Sequence, residues 1–423
     1  MNWKGCDYLK VLWFVNITLP EFSIALGQSV LNQGGWLPSL VDAIRFYSPQ
    51  LELVIASAGN ASTCATVRGV EYVQLNCRKK VRSAICQLIR KVNPDVIHIH
   101  GSEGYWATLP KETFMGCPVV LSLQGIISGC YPHYAGNLTV SETFSVANLP
   151  NMFLTRYWIA RAAGIWRTRK AVREQAAFKN FDAFLGRTEW DEAWTKYLAP
   201  NARYFHVGEI LRSPFYQGGR TQETIVPHTI FCGAAFGYPL KGGHWLLKAV
   251  AALRRKYPDI MLRVANARKV EKSRGIVSCL KKGEYHRYLS RLICELKLED
   301  NVVLLPSLTA DEVAEELAHA DVFCLPSLCE NSPNSLGEAM LMKCPCIATD
   351  VGGTQTLLKN EIQGLLVPSG DPAILAYKID SLFEDKSLAA QYAASAYEDA
   401  ISRYNPQKVV SELLSAYKWA KNR

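Results

Sequence analysis

The chain has 423 residues, 49% of them hydrophobic and 20% charged, with a formal net charge of +9. That length exceeds one ordinary domain and that balance argues against a disordered chain, so two domains with sizeable cores are expected. No apolar run reaches the length of a membrane-crossing helix.

From the N-terminus, the chain alternates short apolar runs with helical patterns. The opening residues carry Lys10 beside a short apolar run without a small-residue cleavage site, and read as a first strand rather than a signal peptide. Strands are predicted at 10–16, 51–56, 70–75, 96–100, 119–123 and 183–186, with helices between them, such as 80–91. Repeated strand–helix–strand units imply a parallel sheet. Gly34-Gly35 lies after the first strand and before a helical pattern, as a turn or as a loop that approaches a ligand.

His98 and His100 alternate onto one face at the end of a strand. His98 reads as a satisfied core histidine, His100 as a residue lining a cleft, and too few ligand types lie nearby for a metal site. Gln124 ends the next strand, and His133 follows shortly after. Between 152 and 180, Arg156, Arg161, Arg167, Arg169, Lys170, Arg173 and Lys179 face a single acid, Glu174. This segment is either a solvated helical face or a contact for an anionic membrane surface or phosphorylated acceptor. No nucleic-acid motif accompanies the charge. Thr188-x-x-Asp191 reads as a capping box, with Arg187 beside it expected at a cleft mouth; Arg212 has a similar reading.

The composition break at 217–224 is the best linker candidate, dividing 1–220 from 221–405, with a closing helix at 406–423. The second half repeats the scheme, with strands at 229–232, 261–265, 302–304, 321–325 and 346–348. Thr309-x-x-Glu312 reads as a second capping box. The fold class is therefore α/β, with two doubly wound, Rossmann-like parallel-sheet domains and a cleft at the carboxyl ends of the strands. The thirteen cysteines include no Cys-x-x-Cys pair and read as buried thiols in a reducing cytoplasm.

The stretch 321–371 organises the rest. After a buried strand and a loop with Glu330, Ser332-Pro333 opens a helix, serine as cap and proline at its first position. The amides of Asn334, Ser335 and Leu336 would then face an anion such as a diphosphate. Asn334, Ser335 and Glu338 share one helix face, while Leu336, Ala339 and Met340 face the core. Two carboxylates beside a diphosphate suit sugar hydroxyls better than phosphate. Lys241-Gly242-Gly243 follows the first strand of the second half, where a cation at a helix start suggests a compensating anion.

Glu330-NSPNSLG-Glu338 and the tail CPCIATDVGG…GLLVPSGD resemble the donor-binding segment of the family 4 (group 1) retaining glycosyltransferases. HIHGSE, SLQGIISG, GRTEWDEAW and ILRSPFY resemble a subgroup among bacterial surface-polysaccharide enzymes. The resemblance implies a GT-B fold, with the last helix crossing back to the first domain. It implies that Glu330 contacts donor-sugar hydroxyls, Glu338 the ribose, Lys241 the diphosphate, and Gly34-Gly35 the loop over it. It also implies catalytic roles for Glu330, Lys241 and Gln124, the last standing where many members have histidine. The arginine usual after the first glycine is absent, since Ala234-Ala235 follow Gly233, leaving Arg263, Arg268 or Arg274 as the second cation.

The expectation is a cytoplasmic enzyme, peripheral at most on the inner membrane face, using a nucleotide-diphospho-sugar donor and a glycan or polyprenyl-linked acceptor. No Asp-x-Asp occurs, so no metal and no other cofactor is expected. The alternative is a catalytically silent GT-B protein that binds sugar nucleotides.

Overall fold

Short runs of β-branched and aromatic residues form the strands, and most of them are buried on both faces, as a helix-covered parallel sheet requires. The computed structural model describes residues 8–29, 35–76, 81–139, 142, 165–233, 236–267 and 284–423. These fall into two units. The first comprises Met1–Ser128, Arg169–Arg212 and Arg403–Arg423, and the second Gly129–Thr168 and Ser213–Ser402. The units therefore do not follow a single cut in the chain.

The first unit holds β1 (Leu9–Val15), β2 (Leu51–Gly59), β3 (Thr63–Val67), β4 (Val70–Asn76), β5 (Val96–His100), β6 (Val119–Ser122), β7 (Ala183–Gly186) and β8 (Arg203–His206). Their order is β3-β4-β2-β1-β5-β6-β7-β8, parallel except for the β3–β4 pair. The second unit holds β9 (Thr229–Cys232), β10 (Met261–Val264), β11 (Val302–Leu304), β12 (Val322–Leu325), β13 (Cys346–Thr349) and β14 (Leu365–Val367). Their order is β11-β10-β9-β12-β13-β14, and every pair is parallel. The antiparallel edge β3 and the strands β8 and β14 were not expected from the sequence. β3 alternates between intermediate and exposed residues at a sheet edge, and β14 has only three residues, so neither makes a clear apolar run.

The helices are α1 (Pro20–Ala25), α2 (Trp36–Tyr47), α3 (Val81–Val92), α4 (Ile127–Cys130), α5 (Ile165–Phe178), α6 (Glu189–Leu198) and α7 (Gly243–Leu253). There follow α8 (Glu284–Glu295), α9 (Ala310–His319), α10 (Asn334–Leu341), α11 (Thr354–Leu357), α12 (Pro372–Glu384), α13 (Lys386–Arg403) and α14 (Pro406–Lys421). Both capping boxes form, Thr188 with Asp191 at α6 and Thr309 with Glu312 at α9. None of the described helices is long and apolar enough to cross a membrane.

The last helix completes the core of the first unit. Val409, Val410, Leu413 and Tyr417 of α14 pack with Val11, Trp13 and Leu40. Trp13 Nε1 donates to the Tyr417 hydroxyl at 2.8 Å, and that hydroxyl is 2.6 Å from His98 Nδ1. An indole only donates, so the arrangement that satisfies every group has Tyr417 donating its proton to His98 Nδ1. His98 Nε2 then carries the ring proton and donates to Ser122 Oγ at 2.6 Å. His98 is thus a satisfied core histidine, and burial, with His100 beside it, pulls its pKa well down.

Candidate active site

In the second unit the strand order reverses between β9 and β12, and ligands bind open α/β sheets beyond the strand ends at such a point. Gly233 follows β9, and an ideal Cβ on it would lie 3.3 Å from Ser335 Cβ in α10, so the two strand ends lead to one place. The loop after β12 carries Glu330, which is 9% exposed. Glu330 Oε1 accepts from Lys241 Nζ at 2.5 Å and from Ser327 Oγ at 2.6 Å. Burial pushes the Lys241 pKa down, but the charge of Glu330 and its hydrogen bond outweigh this and raise it. The cation therefore neutralises the Glu330 carboxylate, and retains ammonium protons for a second acceptor.

Two glycine turns hold this loop. Gly242 has φ +71, and a Cβ there would sit 1.9 Å from the carbonyl oxygen of Pro326. Gly352 has φ +54, and its Cβ would sit 1.9 Å from the carbonyl oxygen of Glu330, which accepts from Gly353 N–H at 3.0 Å. Only glycine tolerates both the left-handed backbone and the close approach. Lys-Gly-Gly and Val-Gly-Gly thus act as supports for the Glu330 loop.

Helix α10 begins one residue later than the sequence suggests. Pro333 is the cap, in extended backbone, and no side chain caps the helix, so Ser332 is not its N-cap. The Leu336 amide donates to the Pro333 carbonyl at 3.0 Å and does not face an anion, which corrects its expected role. Asn334 and Ser335 are half-buried, and among the described residues their amides have no acceptor. Leu336, Ala339 and Met340 are buried as the periodicity predicts, and so is Glu338.

Arg263, one of the candidates for the second cation, is paired with an acid. Its Nε and Nη2 bind both carboxylate oxygens of Glu316 at 2.6 and 2.7 Å, a fork that occupies the guanidinium. Arg268 and Arg274 lie outside the described residues, as do Gly34, Arg156 and Arg161. The side chain of Arg167 is likewise not described; Arg169, Lys170, Arg173 and Lys179 are exposed.

In the first unit, Gln124 is half-buried just beyond β6. Arg187 does not project outward: it is 8% exposed, forms an ion pair with Glu209 and donates through Nη2 to the Leu123 carbonyl at 2.9 Å. His100 is 2% exposed and packs against Trp13 and Trp36, with ring centroids 4.5 and 5.5 Å away, so it is a core residue rather than a lining one. Neither of its nitrogens has a hydrogen-bond partner among the described residues, and burial, with Arg187 nearby, lowers its pKa to about 3. Arg212 lies over Gly35, whose ideal Cβ would be 2.8 Å from Arg212 Cδ. His133, in a short turn at Tyr131–His133, belongs to the second unit and is half-buried.

Sequence reading missed Ser327, whose hydroxyl is an ordinary loop residue until the fold folds it onto Glu330. It also missed the thiol contact beside Glu330, where Cys329 Sγ is 3.1 Å from Cys130 Sγ. That hydrogen bond, then burial, push the Cys329 thiol well above its usual range.

Two Rossmann-like units, with a lysine–glutamate pair at the switch point of the second, define a protein of GT-B fold. Anabaena HepE, solved in complex with UDP-glucose, has a TM-score of 0.65 to this chain at 16% identity, over 96% of this chain and 99% of that one. Residues 227–399 match the family described as glycosyl transferases group 1. The putative glycosyltransferase YtcC of Bacillus subtilis is 23% identical over 84% of this chain and 81% of its own length. The D-inositol 3-phosphate glycosyltransferase of Salinispora arenicola is 30% identical, over 42% of this chain and only 38% of its own. In its second half the chain is thus similar to the glycosyl transferases group 1.

Proposed function

We propose that this protein is a glycosyltransferase that moves a sugar, with retention, from a nucleotide-diphospho-sugar to a glycan or polyprenyl-linked glycan acceptor in surface polysaccharide biosynthesis. The observation that carries this reading is the Lys241–Glu330 pair, held at 2.5 Å at the switch point beside the start of α10. Lys241 and the amides of Asn334 and Ser335 stabilise the leaving diphosphate, which is preorganised electrostatic catalysis without a metal ion. Glu330 accepts from donor-sugar hydroxyls, and Glu338 holds the ribose. Gln124 cannot act as a base, so the leaving phosphate oxygen takes the acceptor proton while Gln124 orients a hydroxyl. The enzyme works in the cytoplasm, and the basic segment from Arg156 to Lys179 touches the inner face of the membrane.

A panel of UDP-, GDP- and ADP-sugars screened for thermal stabilisation identifies the donor, because a bound ligand raises stability with its occupancy. Nucleoside diphosphate release then separates catalysis from its rival, a silent sugar-nucleotide-binding protein. The commitment of Arg263 to Glu316 is the observation that favours that rival. Stabilisation by a nucleotide sugar without any release would establish it.

A further inference from the structure

The turn that carries Gln124 is gripped from both sides by side chains far from it in sequence. Before Gln124, Arg187 Nη2 donates to the Leu123 carbonyl at 2.9 Å. After it, Ser102 Oγ lies 3.0 Å from the Gly125 carbonyl oxygen. Further on, one carboxylate takes three donors. Glu174 Oε1 accepts from Ile127 N–H at 3.0 Å, and Oε2 accepts from the N–H and the hydroxyl of Ser128, both at 2.8 Å. Ser102 Oγ is also 2.9 Å from Glu174 Oε1, and its single proton serves either that oxygen or Gly125.

Glu174 is 1% exposed. A carboxylate this deep is costly unless its oxygens are met by donors, and an apolar residue would fill the same volume more cheaply. Helix α4, whose first amides it covers, is a single turn and has too few bonds of its own to fix the preceding residues. What the carboxylate adds is therefore orientation of the turn. A side chain that must present its amide to a reacting sugar needs its backbone held within a fraction of an ångström.

We propose that Glu174 is a positioning residue for transfer: it locks the turn at 124–128 so that Gln124 points at the reacting hydroxyl. This assignment rests on the reading of Gln124 given under Proposed function.

The isosteric Glu174→Gln variant tests it, since it keeps the volume but turns an NH₂ group toward N–H and O–H donors. UDP release from UDP-glucose is measured in wild type, Glu174→Gln, Gln124→Ala and the double variant. Glu174→Gln is expected to lose at least about tenfold in kcat, with KM for UDP-glucose within about twofold, and to add nothing in the Gln124→Ala background. Losses that multiply in the double variant, or a Glu174→Gln variant that turns over like wild type while Gln124→Ala is slow, overturn the assignment and leave Gln124 standing. A Gln124→Ala variant as fast as wild type removes the reading of Gln124 and this inference with it. If wild type releases no UDP from UDP-glucose, the choice of that donor has failed, and amide exchange decides the clamp by itself. The peptide 123–130 should then exchange at least about tenfold faster in Glu174→Gln while β5 is unchanged, and equal protection would overturn it.

Discussion

In the second unit the Glu330 loop lies directly on the backbone of two glycine turns, at Gly242 and Gly352. In the first unit the Gln124 turn hangs instead from the side chains of Arg187, Ser102 and Glu174. A backbone support leaves a contiguous trace in the sequence, because glycine is required at the point of contact. A side-chain support leaves none, because its residues come from three distant places and are individually ordinary. The first kind fails by steric clash, the second by loss of hydrogen bonds.

The largest expected effect follows from that difference. Gly352→Ala drives a Cβ into the Glu330 carbonyl and strains a left-handed backbone, and should cost about 3–5 kcal/mol in stability. Gly125→Ala, beside Gln124, meets open space and should stay within about 0.5 kcal/mol. Thermal midpoints compare the two, and equal shifts would erase the distinction between the supports.

Next comes Lys241→Ala. A charge-assisted hydrogen bond is worth about 1.5–3 kcal/mol, so turnover per bound donor should fall at least about tenfold. Glu338→Ala should weaken binding of free nucleoside diphosphate in calorimetry, while Glu330→Ala leaves it intact and impairs use of the whole donor. Wild-type binding in both glutamate variants would refute the role given to Glu338.

The buried histidines of the first unit make it sensitive to acid. In the unfolded chain His98 and His100 titrate near 6.5, whereas the folded values are lowered, that of His100 to about 3. Below pH 6.5 the unfolded chain therefore binds protons that the folded one refuses. Stability that is complete above that pH is lost as the pH falls toward 3, at up to about 1.4 kcal/mol per pH unit for each histidine. His100→Leu should flatten the dependence of the melting temperature on pH between 6.5 and 4, and an unchanged slope would exclude His100 as its source.

The smallest effect is expected in the rate itself. Gln124 does not ionise and His100 is held neutral, so turnover should change less than about twofold across pH 6–8. A limb near pH 6.5 that vanishes in His133→Asn would make His133 a base. Turnover should also survive EDTA, and loss restored by Mg²⁺ or Mn²⁺ would refute a metal-independent mechanism.

Sequence alone determined what rests on short-range periodicity. The alternation of apolar runs predicted most strands, and the three-residue spacing of Thr188 with Asp191 and Thr309 with Glu312 predicted two helix starts, because capping joins groups one turn apart. The Glu330 region was legible because Glu330-NSPNSLG-Glu338 and the tail after it form one contiguous run that resembles a known donor-binding segment. Only the tertiary structure decided that Arg263 belongs to Glu316, that Arg187 belongs to Glu209, and that His98 shares a proton chain with Tyr417. It also decided that Glu174, read from sequence as one acid among bases, is buried against the turn of Gln124. These pairings join residues with no common period, and a charged side chain takes whichever partner the packed core leaves within reach, since burial without one is too costly.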